Sequence, residues 1–103
     1  MLDKAAVIKT VERYANEVVK TLSPQAILLY GSYAKGNARD ESDIDVAVIF
    51  NGYNGEWLKD SAMLWKLTRN ISDDIEPILL DSTKDPSGFV ADIFKTGQVI
   101  YRA

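Results

Sequence analysis

The sequence predicts an α/β domain in which helices and strands alternate along the chain. Apolar residues recur at helical spacing in long segments, and short β-branched or continuous apolar runs stand between these segments. Nearly half of the 103 residues are apolar and about a quarter are charged, which is typical of globular proteins. A chain of this length suits one compact domain, so we expect residues 1–103 to fold as a single unit.

The first predicted elements are a helix and a strand. Residues 3–22 predict an amphipathic helix that ends at Ser23-Pro24, with an apolar stripe formed by Val7, Val11, Tyr14, Val18 and Leu22. The continuous apolar run at 26–30 predicts a strand covered on both faces, and it leads directly into Gly31. Residues 32–42 are small and polar, which predicts a short helix followed by a turn.

A second strand and a second long helix follow. Residues 44–50 are β-branched and predict a strand that stops at the turn sequence 51–55. Residues 56–71 predict a heavily packed helix with a broad apolar face of Leu58, Ala62, Leu64, Trp65, Leu67 and Ile71. We expect Trp57 and Trp65 to pack in the core, with Trp57 also a candidate for contact with a partner.

The last three elements are predicted from residue 75 onward. Residues 75–80 form a strand, in which Pro77 lacks a backbone donor and so indicates an edge position or a local break in the hydrogen-bond ladder. Residues 85–97 predict a helix that stops at Gly97, with inward side chains Phe89, Val90, Ile93 and Phe94. A short strand at 98–101 completes the order.

Composition excludes several classes of function. The net charge is −3, so there is no general basic field, and we do not expect binding to nucleic acid. Neither cysteine nor histidine occurs, which leaves only oxygen ligands for a metal ion. Charged residues interrupt the first ten positions and no apolar run approaches membrane-spanning length, so we expect a cytoplasmic protein without membrane contact.

Two aspartates at the start of the second strand are the first candidate functional residues. Asp43 and Asp45 are two positions apart, and strand alternation therefore places their side chains on the same side. Carboxylates held close together repel, and a divalent cation such as Mg²⁺ removes the conflict by bridging them. The structural alternative is a solvated start of a strand.

The Gly31-Ser32 pair is the second candidate. A glycine after a buried strand lets the backbone approach a ligand, and amides at a helix start bind phosphate. An ordinary strand-to-helix turn with Ser32 as the N-cap is the alternative. The segment is not a Walker A loop or a dinucleotide fingerprint, and the residues after Asp45 do not continue as a calcium-binding loop.

The two motifs are informative together, because ten residues separate Ser32 from Asp43. The arrangement G-S-x10-D-x-D resembles the signature of the DNA polymerase beta nucleotidyltransferase superfamily, and the whole chain is similar to its minimal nucleotidyltransferase branch. That resemblance implies the nucleotidyltransferase fold, a mixed β-sheet of about four strands with helices packed on it. It also implies that the Gly-Ser loop holds a nucleoside triphosphate.

The resemblance further implies three carboxylates that hold two Mg²⁺ ions and carry the catalysis. Asp43 and Asp45 match the first two. The third lies on the neighbouring strand in this family, where Glu76 is the favoured candidate and Asp74 the alternative. A glutamate at this position departs from the commoner aspartate.

Three further polar residues surround the motif. Lys35 and Arg39 are the nearest cations, and they either contact the phosphates or are solvated at the surface. Ser42 directly precedes the first aspartate, where we expect a structural hydrogen bond.

The minimal branch resembles the antitoxins that accompany HEPN-domain toxins. The implied activity is transfer of AMP from ATP to a tyrosine hydroxyl of the HEPN toxin, which would be the partner of this chain. One alternative is a non-catalytic antitoxin that acts by binding. Another is nucleotidyl transfer to a small-molecule hydroxyl, although related antibiotic-modifying enzymes carry an additional helical domain. Templated polymerisation is not expected from a chain this short and acidic.

Overall fold

The computed structural model describes residues 3–39 and 42–103, and helices and strands alternate through them as predicted. The elements are α1 (Lys4–Thr21), β1 (Ala26–Tyr30), α2 (Ser32–Lys35), β2 (Ile44–Phe50), α3 (Trp57–Thr68), β3 (Ile75–Asp81), α4 (Phe89–Thr96) and β4 (Gln98–Arg102). The predicted polar segment 32–42 includes residues 40 and 41, which lie outside the described residues. In the described part of the chain, every helix is too short or too polar to cross a membrane.

The four strands form one mixed sheet in the order β3-β2-β1-β4. β1 pairs with β2 and with β4 in antiparallel orientation, whereas β2 and β3 are parallel. The predicted mixed sheet of about four strands, with helices packed on it, is therefore confirmed.

One face of the sheet is covered by α1 and α3. The apolar stripe of α1 is buried there, with Val7, Val11, Tyr14 and Val18 fully inaccessible to solvent, while Leu22 is partly buried. The Tyr14 hydroxyl donates a hydrogen bond to the carbonyl oxygen of Leu64 in α3 at 2.7 Å. Burial raises the pKa of the Tyr14 phenol, so this hydroxyl remains a neutral donor that ties α1 to α3.

Within the part of the chain that the structure describes, α4 is the helix that covers the other face of the sheet. Val90 and Ile93 pack there against apolar side chains of the two central strands, Ala26, Leu28, Ala47 and Ile49. Strand alternation places Tyr30, Asp45 and Glu76 on this same face, at the end where β2 and β3 begin. Because α4 is short, it covers the apolar side chains on this face and leaves the polar ones at the end of the sheet uncovered.

Pro77 lies in an edge strand, which confirms one of the two positions that the sequence indicated. The pairing of β2 with β3 continues without a break from Ile44–Ile75 to Phe50–Asp81. Hydrogen bonds from Ile44 N–H to the Asp74 carbonyl and from Ser82 N–H to the Phe50 carbonyl show that the even-numbered residues bond to β2. The nitrogen of Pro77 therefore faces the free edge, where the ladder needs no donor.

Burial of the α3 tryptophans was predicted wrongly. Trp57 and Trp65 are 53% and 49% exposed, and Leu58 is 78% exposed. Only Leu64 and Thr68 of α3 are buried, because this helix lies over the edge strand β3 and presents a narrow stripe to the core. A groove of about 200 Å³ between α3 and β3 is lined in part by both tryptophans.

The start of α4 also differs from the prediction. The helix begins at Phe89, and the preceding Asp85 accepts hydrogen bonds from the amides of Val90 and Ala91. Phe89 was expected to point inward, yet its side chain is 39% exposed. The next residue, Val90, is buried against the sheet, whereas Phe89 packs on Tyr30 beside that core and keeps part of its surface exposed.

Candidate functional site

Gly31 brings the backbone against Asp45 at the end of β1. Its dihedral angles, φ 74° and ψ −148°, lie in a region that residues with a side chain rarely adopt. A Cβ atom at this position would collide with the Asp45 carboxylate, whose Cγ lies 3.2 Å away. The turn at 31–32 and the second aspartate are therefore in direct contact, and only glycine permits it.

Asp43, Asp45 and Glu76 lie together on the face that carries α4. Asp45 and Glu76 are paired across β2 and β3, and Asp43 precedes β2 on the same side as Asp45. Loss of hydration, followed by the charges of Asp43 and Asp45, raises the pKa of Glu76; loss of hydration and the charge of Asp43 raise the pKa of Asp45.

Asp45 and Glu76 are paired across neighbouring strands, and Asp43 lies on the same side as Asp45. Within residues 3–39 and 42–103, no group of three acidic side chains is arranged so as to hold a metal ion. The donors nevertheless suit Mg²⁺, which prefers oxygen ligands and is usually held by one or two carboxylates. Loss of hydration first, and the neighbouring carboxylates second, raise the pKa of Asp45 and of Glu76, and a bound cation would offset the repulsion between these groups.

The register favours Glu76 over Asp74 as the third carboxylate. Asp74 precedes β3, and its carbonyl oxygen accepts the Ile44 amide at 2.7 Å. Both side chains are exposed, but Asp74 contributes to neither raised pKa, whereas Glu76 pairs with Asp45 and is acted on by the charges of both aspartates. Glu76 as the third carboxylate stays a prediction, and its pairing with Asp45 is the geometric reason for preferring it to Asp74.

The remaining predicted residues surround this face. Ser32 is the first residue of α2, where the helix-start amides have no acceptor within the helix. Lys35 ends α2 with an exposed side chain, and Arg39 is exposed in the following loop, where its amide donates to Ser42 Oγ at 2.7 Å. That bond is the structural role expected for Ser42. In the part of the chain that the structure describes, neither cation forms a salt bridge with the three carboxylates.

Two aromatic residues near the carboxylates were missed as functional candidates. Tyr30 pairs with Asp45 across β1 and β2, and burial, Asp45 and Glu76 all raise the pKa of its hydroxyl. Phe89 packs against Tyr30 with ring centroids 5.9 Å apart and ring planes at 83°. The position of Tyr30 directly before Gly31 was visible in the sequence, but the proximity of Phe89 depends on how α4 crosses the sheet.

Replacing Glu76 by glutamine should stabilise the metal-free protein at neutral pH. Because the folded-state pKa of Glu76 lies above its ordinary value, folding favours the protonated form. The stability that protonation provides is complete below the unfolded pKa and is lost as the pH rises through the folded pKa. We expect the Tm of Glu76→Gln to exceed wild type by about 2–4 °C at pH 7, with little difference at pH 4.

Thermal unfolding in a metal-free buffer containing a chelator measures this difference. Glu12→Gln, on the exposed side of α1, is the matched control and should leave the Tm unchanged at both pH values. A lower Tm for Glu76→Gln at pH 7 would show that the Glu76 charge is stabilised rather than strained by its neighbours.

The chain matches a known family over most of its length. The model of the family described as "Polymerase beta, Nucleotidyltransferase" matches residues 12–103, which include Gly31, Ser32 and all three carboxylates. No curated protein matches the chain significantly.

Solved structures share the fold. A provisionally assigned nucleotidyltransferase from Sulfolobus solfataricus is 22% identical, with a TM-score of 0.69, over 96% of this chain and 83% of its own. A toxin-antitoxin structure with AMP-PNP is 22% identical with a TM-score of 0.64, and a mutant of the toxin-antitoxin MntA-HpeT is 20% identical with a TM-score of 0.62. Each of these two covers 89% of this chain and 73% of its own. At such identities the likeness shows the fold alone.

Proposed function

Because this chain belongs to the polymerase beta nucleotidyltransferase family, we propose that it transfers AMP from ATP, with Mg²⁺, to a tyrosine hydroxyl of a HEPN-domain toxin. The observation that carries the proposal is the contact of the Gly31 turn with Asp45, beside Asp43 and Glu76. A phosphate-binding turn and a cation-binding group of carboxylates are the two parts that nucleotidyl transfer requires.

The partner and the donor nucleotide are supported by the structures of similar fold. Two of them are toxin-antitoxin structures, and one of these contains AMP-PNP, an analogue of ATP. By analogy, this chain would bind ATP and act on a toxin partner. The antitoxin role would follow if the transferred AMP blocks the tyrosine that the toxin needs.

In the proposed mechanism, the chain positions the triphosphate and the acceptor hydroxyl. The amides that begin α2 and the Ser32 hydroxyl bind the terminal phosphates, and the absence of a side chain at Gly31 lets the Asp45 carboxylate lie directly against this turn. Asp43, Asp45 and Glu76 would hold Mg²⁺, which when bound supplies polarisation of the hydroxyl and neutralisation of the phosphate charge. Glu76 orients the acceptor hydroxyl and accepts its proton.

The transfer step balances without a further reactant. The tyrosine oxygen forms a bond to the α-phosphorus of ATP, and the bond from that phosphorus to the bridging oxygen of the β-phosphate breaks. Pyrophosphate leaves with the bonding pair, and the hydroxyl proton passes to Glu76 and then to solvent. The products are AMP-tyrosine and pyrophosphate.

Intact-mass measurement of the acceptor tests the proposal. The purified chain is incubated with ATP, Mg²⁺ and a cognate HEPN-domain protein, and this HEPN-domain protein should gain one or more AMP masses on a tyrosine. The same mixture with a chelator, and a mixture with the Asp43→Asn, Asp45→Asn double variant, are the controls and should show no gain.

The double variant also separates catalysis from binding. Loss of both transfer and toxin neutralisation supports the enzymatic antitoxin. If the variant still neutralises the toxin, then binding alone suffices and the enzymatic proposal is wrong for this pair. Transfer to a small hydroxyl compound in the absence of any HEPN protein would instead identify a small-molecule acceptor.

A further inference from the structure

Phe89 is a partly exposed aromatic residue at the edge of the candidate site, where it packs on Tyr30. Phe89 begins α4, and its ring is 39% exposed, whereas Val90 and Ile93 of the same helix are buried. Its edge-to-face contact with Tyr30, with ring planes at 83°, holds the ring without covering it. The open part of the ring is an apolar surface next to a polar site.

Tyr30 connects this ring to the candidate catalytic groups. Its backbone pairs with Asp45, its side chain lies on the same face as Asp45 and Glu76, and the next residue is Gly31. The aromatic pair and the carboxylates are therefore adjacent on one surface of the sheet.

We infer that Tyr30 and Phe89 form a platform on which the base of the donor nucleotide stacks. The inference rests on the proposed function, in which the terminal phosphates bind at residues 31 and 32. Tyr30 directly precedes that turn and Phe89 packs on Tyr30, so both rings would be beside a nucleotide held there. Stacking on aromatic rings accepts every base because each has a π-face, so the platform predicts binding energy with little base selectivity.

The start of α4 does not offer a competing site for phosphate. The Asp85 carboxylate accepts the amides of Val90 and Ala91 at 2.9 Å and 3.0 Å, so the helix N-terminus already has an anionic cap. A second anion would meet the charge of Asp85. The group that this surface suits is planar and uncharged, as a nucleobase is.

Two ligands with the same chain of three phosphates, only one of which carries a base, separate the contribution of the base from that of the phosphates. Calorimetric titrations with Mg²⁺-ATP and with Mg²⁺-tripolyphosphate are carried out on wild type, Phe89→Ala and Phe89→Trp. Leu58→Ala removes an exposed apolar side chain from α3 and is the matched control. Near-ultraviolet circular dichroism establishes that each variant is folded.

Phe89→Ala should weaken ATP binding about tenfold and leave tripolyphosphate binding unchanged, because only ATP carries a base. Phe89→Trp should retain ATP affinity or increase it, and Leu58→Ala should bind both ligands as wild type does.

Three results with the Phe89→Ala variant would overturn the inference that Tyr30 and Phe89 bind the base. They are unchanged ATP affinity in Phe89→Ala, an equal loss for both ligands, and a weakened interaction with the acceptor protein while ATP affinity is intact. If wild type binds neither ligand, the proposed function itself fails, and the inference fails with it. Binding of tripolyphosphate but not ATP by wild type contradicts the inference and leaves the phosphate site in place.

Discussion

Replacing Asp45 by asparagine should reduce AMP transfer about a thousandfold while the protein stays folded. Asparagine keeps the size of the side chain but removes the charge with which this position would hold Mg²⁺. Loss of several kcal/mol of transition-state stabilisation corresponds to about three powers of ten in rate. Because burial and Asp43 raise the pKa of Asp45, the neutral variant should be at least as stable as wild type.

Single-turnover rates and thermal unfolding of the same preparations measure both effects. Glu76→Gln should lose transfer to a similar degree, whereas Asp74→Asn should keep most of it, since Asp74 precedes β3 and it is Glu76 that pairs with Asp45. If Asp74→Asn is the inactive variant and Glu76→Gln is active, the assignment of the third carboxylate is reversed. Full activity in Asp45→Asn would remove the basis of the proposed function.

Gly31→Ala should be the most damaging single substitution at the site. The dihedral angles of Gly31 are strained for alanine, and the added Cβ collides with the Asp45 carboxylate, so we expect a loss of about 3 kcal/mol in unfolding free energy. For a domain of this size, that loss lowers the Tm by more than about 10 °C. Transfer measured well below the Tm should also fall about a hundredfold, because Asp45 is displaced.

Gly52→Ala is the control for this variant. Gly52 also has a positive φ of 79°, but no atom lies within 4 Å of where its Cβ would be, so only backbone strain of about 1–2 kcal/mol is expected. In a double-mutant cycle, Asp45→Ala should restore part of the stability lost in Gly31→Ala. Equal losses in the two glycine variants, with normal transfer in Gly31→Ala, would mean that the close approach to Asp45 has no functional role.

Local features of the sequence were sufficient to predict the elements and the centre of the site. The long helices follow from apolar residues at helical spacing, and the strands follow from the short continuous apolar or β-branched runs between them. Gly31 and Asp45 are both recognisable from their neighbours. Gly31 is a residue without a side chain directly after a buried strand, and Asp45 is a charged residue within an apolar run. The resemblance that these residues carry implied one shared site for them, and the structure shows Gly31 and Asp45 in contact.

Features that depend on how elements pack were predicted less well. Periodicity identifies an apolar stripe on α3 but cannot say how wide a surface the sheet offers, and so Trp57 and Trp65 were assigned to the core although each is about half exposed. Likewise, the preference for Glu76 over Asp74 became a geometric argument only with the register of β2 and β3. The placement of Phe89 beside Tyr30 required the path of α4.

The proline in the outermost strand limits how other molecules can join this protein. A strand arriving from another chain would seek alternating donors and acceptors along the open side of β3, and at Pro77 it would find a ring in place of a donor. Templated growth of fibrils from that side is correspondingly disfavoured. A protein partner that binds along β3 near the carboxylates would gain fewer backbone hydrogen bonds, since Pro77 interrupts the row of donors on this edge.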